Sequence, residues 1–154
     1  MSVITLAAMS CFASCLSVFA QDDVLPRKFA LLVGVNKYKN RKVSNLSFAG
    51  RDVEETGETL KDLGFNVHFL TGSSKGYRRA TKANIEEALK VLLEDVRAQD
   101  IVLIGYSGHG VQLPEKKEDA FLFPVDGKIS DSSTLLSLSE LLKTLDQRGG
   151  SICC

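Results

Sequence analysis

The chain lacks several features that would have assigned its class at once. Its 154 residues contain no Trp, which excludes little, and Lys plus Arg equals Asp plus Glu at 19 each. A chain without net charge offers no broad basic field to a nucleic-acid backbone, so no nucleic-acid partner is expected. The four cysteines lie only at the extremes, as Cys11, Cys15, Cys153 and Cys154. No disulfide framework can then tie the intervening chain together, and its fold must rest on an apolar core. The first apolar run after the leader, "KFALLVGVN" (28–36), is not followed by G-x-G-x-x-G, and no P-loop occurs. A nucleotide-binding domain is therefore a weak reading. Neither a cofactor nor a metal is expected.

Charge is also missing from residues 1–20, "MSVITLAAMSCFASCLSVFA", and returns at once with Gln21-Asp22-Asp23. Val18 and Ala20 satisfy the small-residue rule for a cleavage site. The expectation is a secretory signal peptide over 1–20, a short linker over 21–27 and one domain over 28–154. The product would be secreted or periplasmic, with no membrane attachment after cleavage. An uncleaved membrane anchor is the alternative, because the apolar run is nearly long enough to span. Lipidation at Cys15, within "FASC", is a third option that Phe12 fits badly.

What is present is an alternation of strand and helix patterns. "KFALLVGVN" is a continuous apolar run, as expected of a parallel strand covered on both faces. Leu46, Ala49, Val53, Leu60 and Leu63 share a helical face, and Gly64 ends that helix. "FNVHFLT" (65–71) alternates and is rich in strand formers. Thr81 caps a helix with the stripe Ile85, Leu89, Leu92 and Val96. "DIVLIGY" (100–106) is a third strand, and "AFLFPVD" (120–126) a short extended piece. Ser137 and Glu140 form a capping box for a helix carrying Leu138, Leu141, Leu142 and Leu145. This order predicts an α/β layer fold with right-handed crossovers. The strands at 28–35, 65–70 and 100–106 should be parallel with the first in the middle. The site then belongs at their carboxyl ends, beside Asn36 and His109.

One of those ends reads "DIVLIGYSGHG" (100–110). The hydrolase elbow G-x-S-x-G fits Gly105 and Ser107, but position 109 is His instead of Gly. That class also needs a histidine downstream of the serine. The chain has only two, His68 and His109, and none follows His109. A serine hydrolase is therefore excluded by count. His109 can serve as a general base toward a nucleophile from elsewhere, or be a polar turn residue; Gly108 and Gly110 allow a sharp turn beside it.

The ordered set "KFALLVGVNKYKN", "NLSFAGRDVEETGETLKDLGFNVHFLTG", "ATKANIEEAL", "DIVLIGYSGHG", "EDAFLFPVDG" and "LSLSELLKTL" resembles the caspase-like cysteine peptidases, above all their bacterial members and the metacaspases. The resemblance spans residues 28 to about 147. It implies a three-layer α/β sandwich with a mostly parallel sheet, and hydrolysis of peptide or protein substrates by a Cys-His dyad. His109 would be the catalytic histidine and Gly110 the oxyanion-hole N–H. Asp52, in "GRDV", would line a pocket for substrate Arg or Lys; its other reading is a solvated residue in the first turn of a helix. The family nucleophile follows in a motif like D-x-C-x-S-G, which does not occur here. Cys154 is the nearest candidate, and "SICC" lacks both the aspartate and the following Ser-Gly, as an incidental tail would. The expectation is a domain lacking its carboxyl-terminal strands and inactive as it stands. A non-catalytic caspase-fold interaction protein is the alternative.

Overall fold

The computed structural model describes residues 25–147. The elements run β1 (Lys28–Gly34), α1 (Ala49–Asp62), β2 (Asn66–Thr71), α2 (Lys82–Glu94), β3 (Ile101–Ser107), β4 (Gly110–Val111), β5 (Phe121–Leu122), β6 (Leu136–Ser137) and α3 (Leu138–Asp146). The first three strands form one sheet in the order β2-β1-β3. Both pairings are parallel, with Leu31 opposite His68 on one side and Ile104 on the other.

The central strand accounts for the layering. Ala30 and Leu32 point to one face and pack with Val53 and Leu60 of α1. Leu31 and Val33 point to the other and meet Ile85, Leu89 and Leu92 of α2, with Leu141 and Leu145 of α3 against them. All four β1 residues are at most 2% exposed. A strand with an apolar partner on each face has no reason to alternate, which is why the run reads as continuous. Burying each aliphatic side chain of this kind contributes roughly 1.5–3 kcal/mol. Gly34 is required by the same closeness: a Cβ there would lie 2.6 Å from the Ala49 carbonyl oxygen.

The helix ends follow from local chemistry. Gly64 takes φ +82°, and its N–H and that of Phe65 donate to the carbonyls of Lys61 and Leu60, closing α1 in a Schellman turn. The helix is shorter than the apolar stripe implied. Leu46 lies before it, bonded through its N–H to the Asn36 carbonyl, and Leu63 beyond it is 57% exposed. Thr81 and Ser137 accept from the N–H groups of Asn84 and Glu140, as their spacing predicts. Asp119 reinforces the second cap, taking the Ser137 hydroxyl at 2.6 Å and the Ser139 N–H at 3.0 Å. Burial pushes the Asp119 pKa up, but these hydrogen bonds together hold it below its ordinary value.

A second, antiparallel sheet joins β4, β5 and β6. Its strands are two residues each and cover a separate cluster of Leu113, Phe121, Phe123 and Leu135. Among the bonds that hold the segment after β5 to the main body are Val125 N–H to the Ala80 carbonyl and Lys39 N–H to the Val125 carbonyl. No helix among the described residues is long and apolar enough to cross a membrane. The signal peptide expected over 1–20 and the tail from 148 onward lie outside the described residues.

Candidate active site

The β1–α1 connection returns to β2 over one face of the sheet, and the β2–α2–β3 connection passes over the other. The crevice where the connections diverge lies at the carboxyl ends of β1 and β3, as in other open parallel sheets. Ser107 is the last residue of β3, and Asn36 and His109 lie just beyond the ends of β1 and β3. The Val35 N–H donates to the Ser107 carbonyl at 2.9 Å, extending the β1–β3 ladder to the site itself.

His109 is held by backbone and ring together. Its N–H donates to the Tyr38 hydroxyl oxygen at 2.9 Å, and its carbonyl accepts the Phe123 N–H at 2.9 Å. Its imidazole lies 5.2 Å from the Tyr38 ring at an interplanar angle of 36°. Tyr38 is fixed in turn, donating its hydroxyl to the Val35 carbonyl at 3.0 Å and meeting Phe123 edge-on. Burial pushes the Tyr38 hydroxyl above the usual tyrosine range. Beneath His109, Tyr106 donates to the Phe123 carbonyl at 2.6 Å, and burial raises its pKa still more strongly.

The imidazole has a defined tautomer. Nε2 lies 2.9 Å from the Ser44 carbonyl oxygen and 3.3 Å from the Ser44 hydroxyl. A carbonyl can only accept, so Nε2 carries the hydrogen, and Nδ1 is left as the acceptor when the ring is neutral. This is the arrangement a base needs: one nitrogen oriented by a backbone partner, the other without a hydrogen-bond partner among the described residues.

The neighbouring glycines act differently from the turn hinges implied by the sequence. Neither Gly108 nor Gly110 has a positive φ. Gly108 is needed because a Cβ would lie 2.5 Å from the Tyr106 hydroxyl oxygen. A Cβ on Gly110 would meet only the Phe121 carbonyl, at 3.7 Å. Gly110 stands opposite Leu122, while the adjacent His109 carbonyl accepts from Phe123. Gly110 and Leu122 are thus a ladder pair that exchanges no hydrogen bond, and the Gly110 N–H points away from β5.

Asp52 is exposed in the first turn of α1 and accepts the Ser107 hydroxyl at 3.3 Å. The hydroxyl of Ser107 therefore bonds to a carboxylate and not to His109, consistent with the count that excluded a serine hydrolase. Asn36 is engaged by the fold: its amide donates to the Leu46 carbonyl at 3.0 Å and accepts the Gly50 N–H at 2.6 Å. It closes the loop between β1 and α1, whose own N-cap residue, Phe48, provides no side-chain cap. Sequence reasoning missed Ser44 and Tyr38. A lone aromatic inside the polar stretch "KYKNRKVSN" was the available signal for Tyr38; nothing marked Ser44. Cys154 lies outside the described residues, and among those residues no group of three His, Cys, Asp or Glu is placed to hold a metal ion.

A three-layer α/β domain with a backbone-oriented histidine after its third parallel strand defines a class, and comparison with known proteins names it. The caspase domain model matches residues 27–150, and the chain belongs to that family of cysteine peptidases. Among curated proteins it is 35% identical over 97 residues to Metacaspase-6 of Arabidopsis thaliana, covering 60% of this chain and 26% of that one. It is 29% identical over 119 residues to Metacaspase-1 of Ajellomyces capsulatus, covering 70% and 33%. A crystal structure of protein GSU0716 from Geobacter sulfurreducens superposes with a TM-score of 0.62 at 25% identity, over 78% of this chain and 45% of that one. The chain thus spans about a quarter to a third of the length of these curated relatives.

Proposed function

We propose that residues 25–147 supply the base, the oxyanion donor and the basic-residue pocket of a cysteine-type endopeptidase, and that the 154-residue chain by itself turns over no peptide. The observation that carries this reading is the bond from His109 Nε2–H to the Ser44 carbonyl. With that nitrogen committed, Nδ1 takes the proton of a thiol, and the thiolate attacks the substrate carbonyl. The Gly110 N–H faces the oxyanion that develops, and the Nδ1 proton passes to the leaving amine. Asp52, exposed beside Ser107, offers a carboxylate to an Arg or Lys side chain of the substrate.

The thiol is the missing partner. No cysteine occurs between Cys15 and Cys153, and no D-x-C-x-S-G motif occurs anywhere in the sequence. A base without a nucleophile in hydrogen-bond reach provides no covalent route. The second reading is a non-catalytic caspase-fold binding or interaction protein. Removal of residues 1–20 on export, giving a secreted or periplasmic protein, belongs to the proposal and is tested by amino-terminal sequencing, which should begin at Gln21.

Cleavage of Arg- and Lys-containing peptides distinguishes the readings. The chain alone should give background rates. A chain continued through an intact D-x-C strand should gain thiol-dependent activity that His109→Ala abolishes. Robust cleavage by the chain alone, lost in Cys154→Ala, would overturn the proposed inactivity. Cleavage indifferent to both substitutions would reject the dyad, and no cleavage by the continued chain would favour the binding protein.

A further inference from the structure

A cavity of about 780 Å³, with His109 outside its lining, is bounded by the β1–α1 loop, the start of α2 and the loop between β5 and β6. Its volume is that of a ligand pocket and far exceeds a single small ion. Lys39, Arg41, Lys42, Lys82 and Lys128 line it, against two carboxylates, Glu86 and Asp126. Both carboxylates already have internal partners. Asp126 accepts the Lys82 N–H at 3.0 Å at the first residue of α2, and Glu86 lies 3.4 Å from the Lys82 ammonium, which also donates to the Ser133 carbonyl. Among the described residues Lys39, Arg41, Lys42 and Lys128 have no carboxylate oxygen within 4 Å, although the charges of Lys128 and Lys82 reach Asp131. Four cations converge on one concavity in a chain whose net charge is zero.

We propose that this cavity binds an acidic peptide segment. Four separated cations call for several carboxylates on one flexible chain, and Ile129, 47% exposed on the rim, gives an aliphatic contact that a simple inorganic anion cannot use. The α2 terminus is a lesser attraction, because Thr81 and Asp126 already take the N–H groups of Asn84 and Lys82. The loop that carries the cations is built to hold them. Lys39 N–H is bonded to the Val125 carbonyl, and Asn40 accepts the Lys42 N–H through its side chain, so the turn is fixed before any ligand arrives. Net-positive concavities of this kind also raise the on-rate of acidic partners at low salt.

The site stands independently of the peptidase reading, and its test reads binding alone. The probe is a hexaglutamate peptide titrated into the isotope-labelled full chain at low ionic strength, followed by amide chemical shifts. Shifts should concentrate at residues 39–42 and 128–134. Arg41→Glu with Lys42→Glu, and separately Lys128→Glu, should each weaken binding by about tenfold or more, whereas Lys75→Glu, away from the cavity, should not. Raising the salt should weaken binding in the same direction. Hexaglutamine should not bind. Absence of shifts at millimolar hexaglutamate, or affinity unchanged by the cavity reversals but lowered by Lys75→Glu, would overturn the site. Inorganic phosphate producing the same shifts at equal concentration would overturn the peptide assignment in favour of a small-anion site.

Discussion

Asp100 stands just before β3 and Asp52 faces the other end of the same strand, yet the fold treats the two carboxylates oppositely. Asp100 is 4% exposed and receives the backbone N–H of Arg27 at 2.9 Å, the Arg27 guanidinium at 2.6 and 3.0 Å, and the Arg97 N–H at 2.9 Å. The hydrogen bonds from Arg27 outweigh burial and hold its carboxyl well below the usual carboxylate range. The Arg27 guanidinium also reaches the Asp95 carbonyl. Asp52 is exposed and has, among the described residues, one side-chain bond, at 3.3 Å, to Ser107. A carboxylate whose acceptor positions are all filled by its own chain serves the fold. One held by a single long bond, as Asp52 is, contributes little to it.

The largest effect should therefore come from the amino-terminal end. Asp100→Ala leaves two backbone N–H groups and a guanidinium without their acceptor, and should lower the melting temperature by several degrees, more than any substitution considered below. The pH dependence has a fixed sign. A carboxyl with a depressed folded pKa stabilises fully above its unfolded value, about 3.9, and loses that contribution as the pH falls through the folded value. Melting temperature should decline below about pH 4 in the wild type, and that acid-side decline should be shallower in Asp100→Asn. Parallel acid profiles for the two proteins would show that Asp100 does not anchor the strand.

A smaller difference should separate the two glycines that flank His109. Gly108→Ala places a methyl 2.5 Å from the Tyr106 hydroxyl, and Tyr106 cannot retreat without breaking its bond to Phe123. Overpacking of this kind costs about 1–3 kcal/mol. Gly110→Ala meets only an ordinary contact, so its effect on stability should stay within about 0.5 kcal/mol. Chemical denaturation of the pair measures the difference; equal losses would mean that the close approach to Tyr106 is not what Gly108 is for.

Tyr38→Phe should cost about 1 kcal/mol, because it keeps the ring against the imidazole while orphaning the His109 N–H and the Val35 carbonyl. Imidazole nitrogen resonances give the more specific readout. Wild-type His109 should show hydrogen on Nε2 and none on Nδ1 at high pH, and Ser44→Pro, which disturbs the loop that presents the carbonyl, should mix the tautomers. An unmixed spectrum in Ser44→Pro would remove Ser44 as the orienting partner.

These contrasts also mark how far the sequence could be read. Strand spacing placed β1, β2 and β3 to within a residue or two, and the polar residues at 81 and 137 announced their caps, because periodicity and capping are local properties. His109 was legible as the polar residue flanked by glycines at a strand end. The small sheet was not legible as a sheet, since a two-residue strand has no period to detect. Ser44 meets His109 across 65 residues of chain, and Arg27 meets Asp100 across 73; such pairs exist only once the sheet has set its register. Nor did glycine identity reveal its cause. The same residue type is demanded by the Tyr106 ring at 108 and by no close contact among the described residues at 110.

The smallest effect on stability, and the most selective effect on recognition, should belong to Asp52→Asn. Its single long bond to Ser107 can be kept by the amide oxygen, and the lost charge in the first turn of α1 should amount to under about 1 kcal/mol. Binding should respond differently. A guanidinium or ammonium of a ligand would find in Asp52 a carboxylate with acceptor positions to spare, and charge-assisted bonds of that kind are about twice as strong as neutral ones. Binding of an arginine-containing tetrapeptide amide should therefore weaken by about tenfold in Asp52→Asn, while its norleucine counterpart should be unaffected. Asp52→Glu should retain the preference for arginine better than Asp52→Asn does. If the arginine peptide binds the wild type no better than the norleucine peptide, Asp52 is a solvated helix residue, and the open carboxylate at this end of the sheet has no ligand to meet.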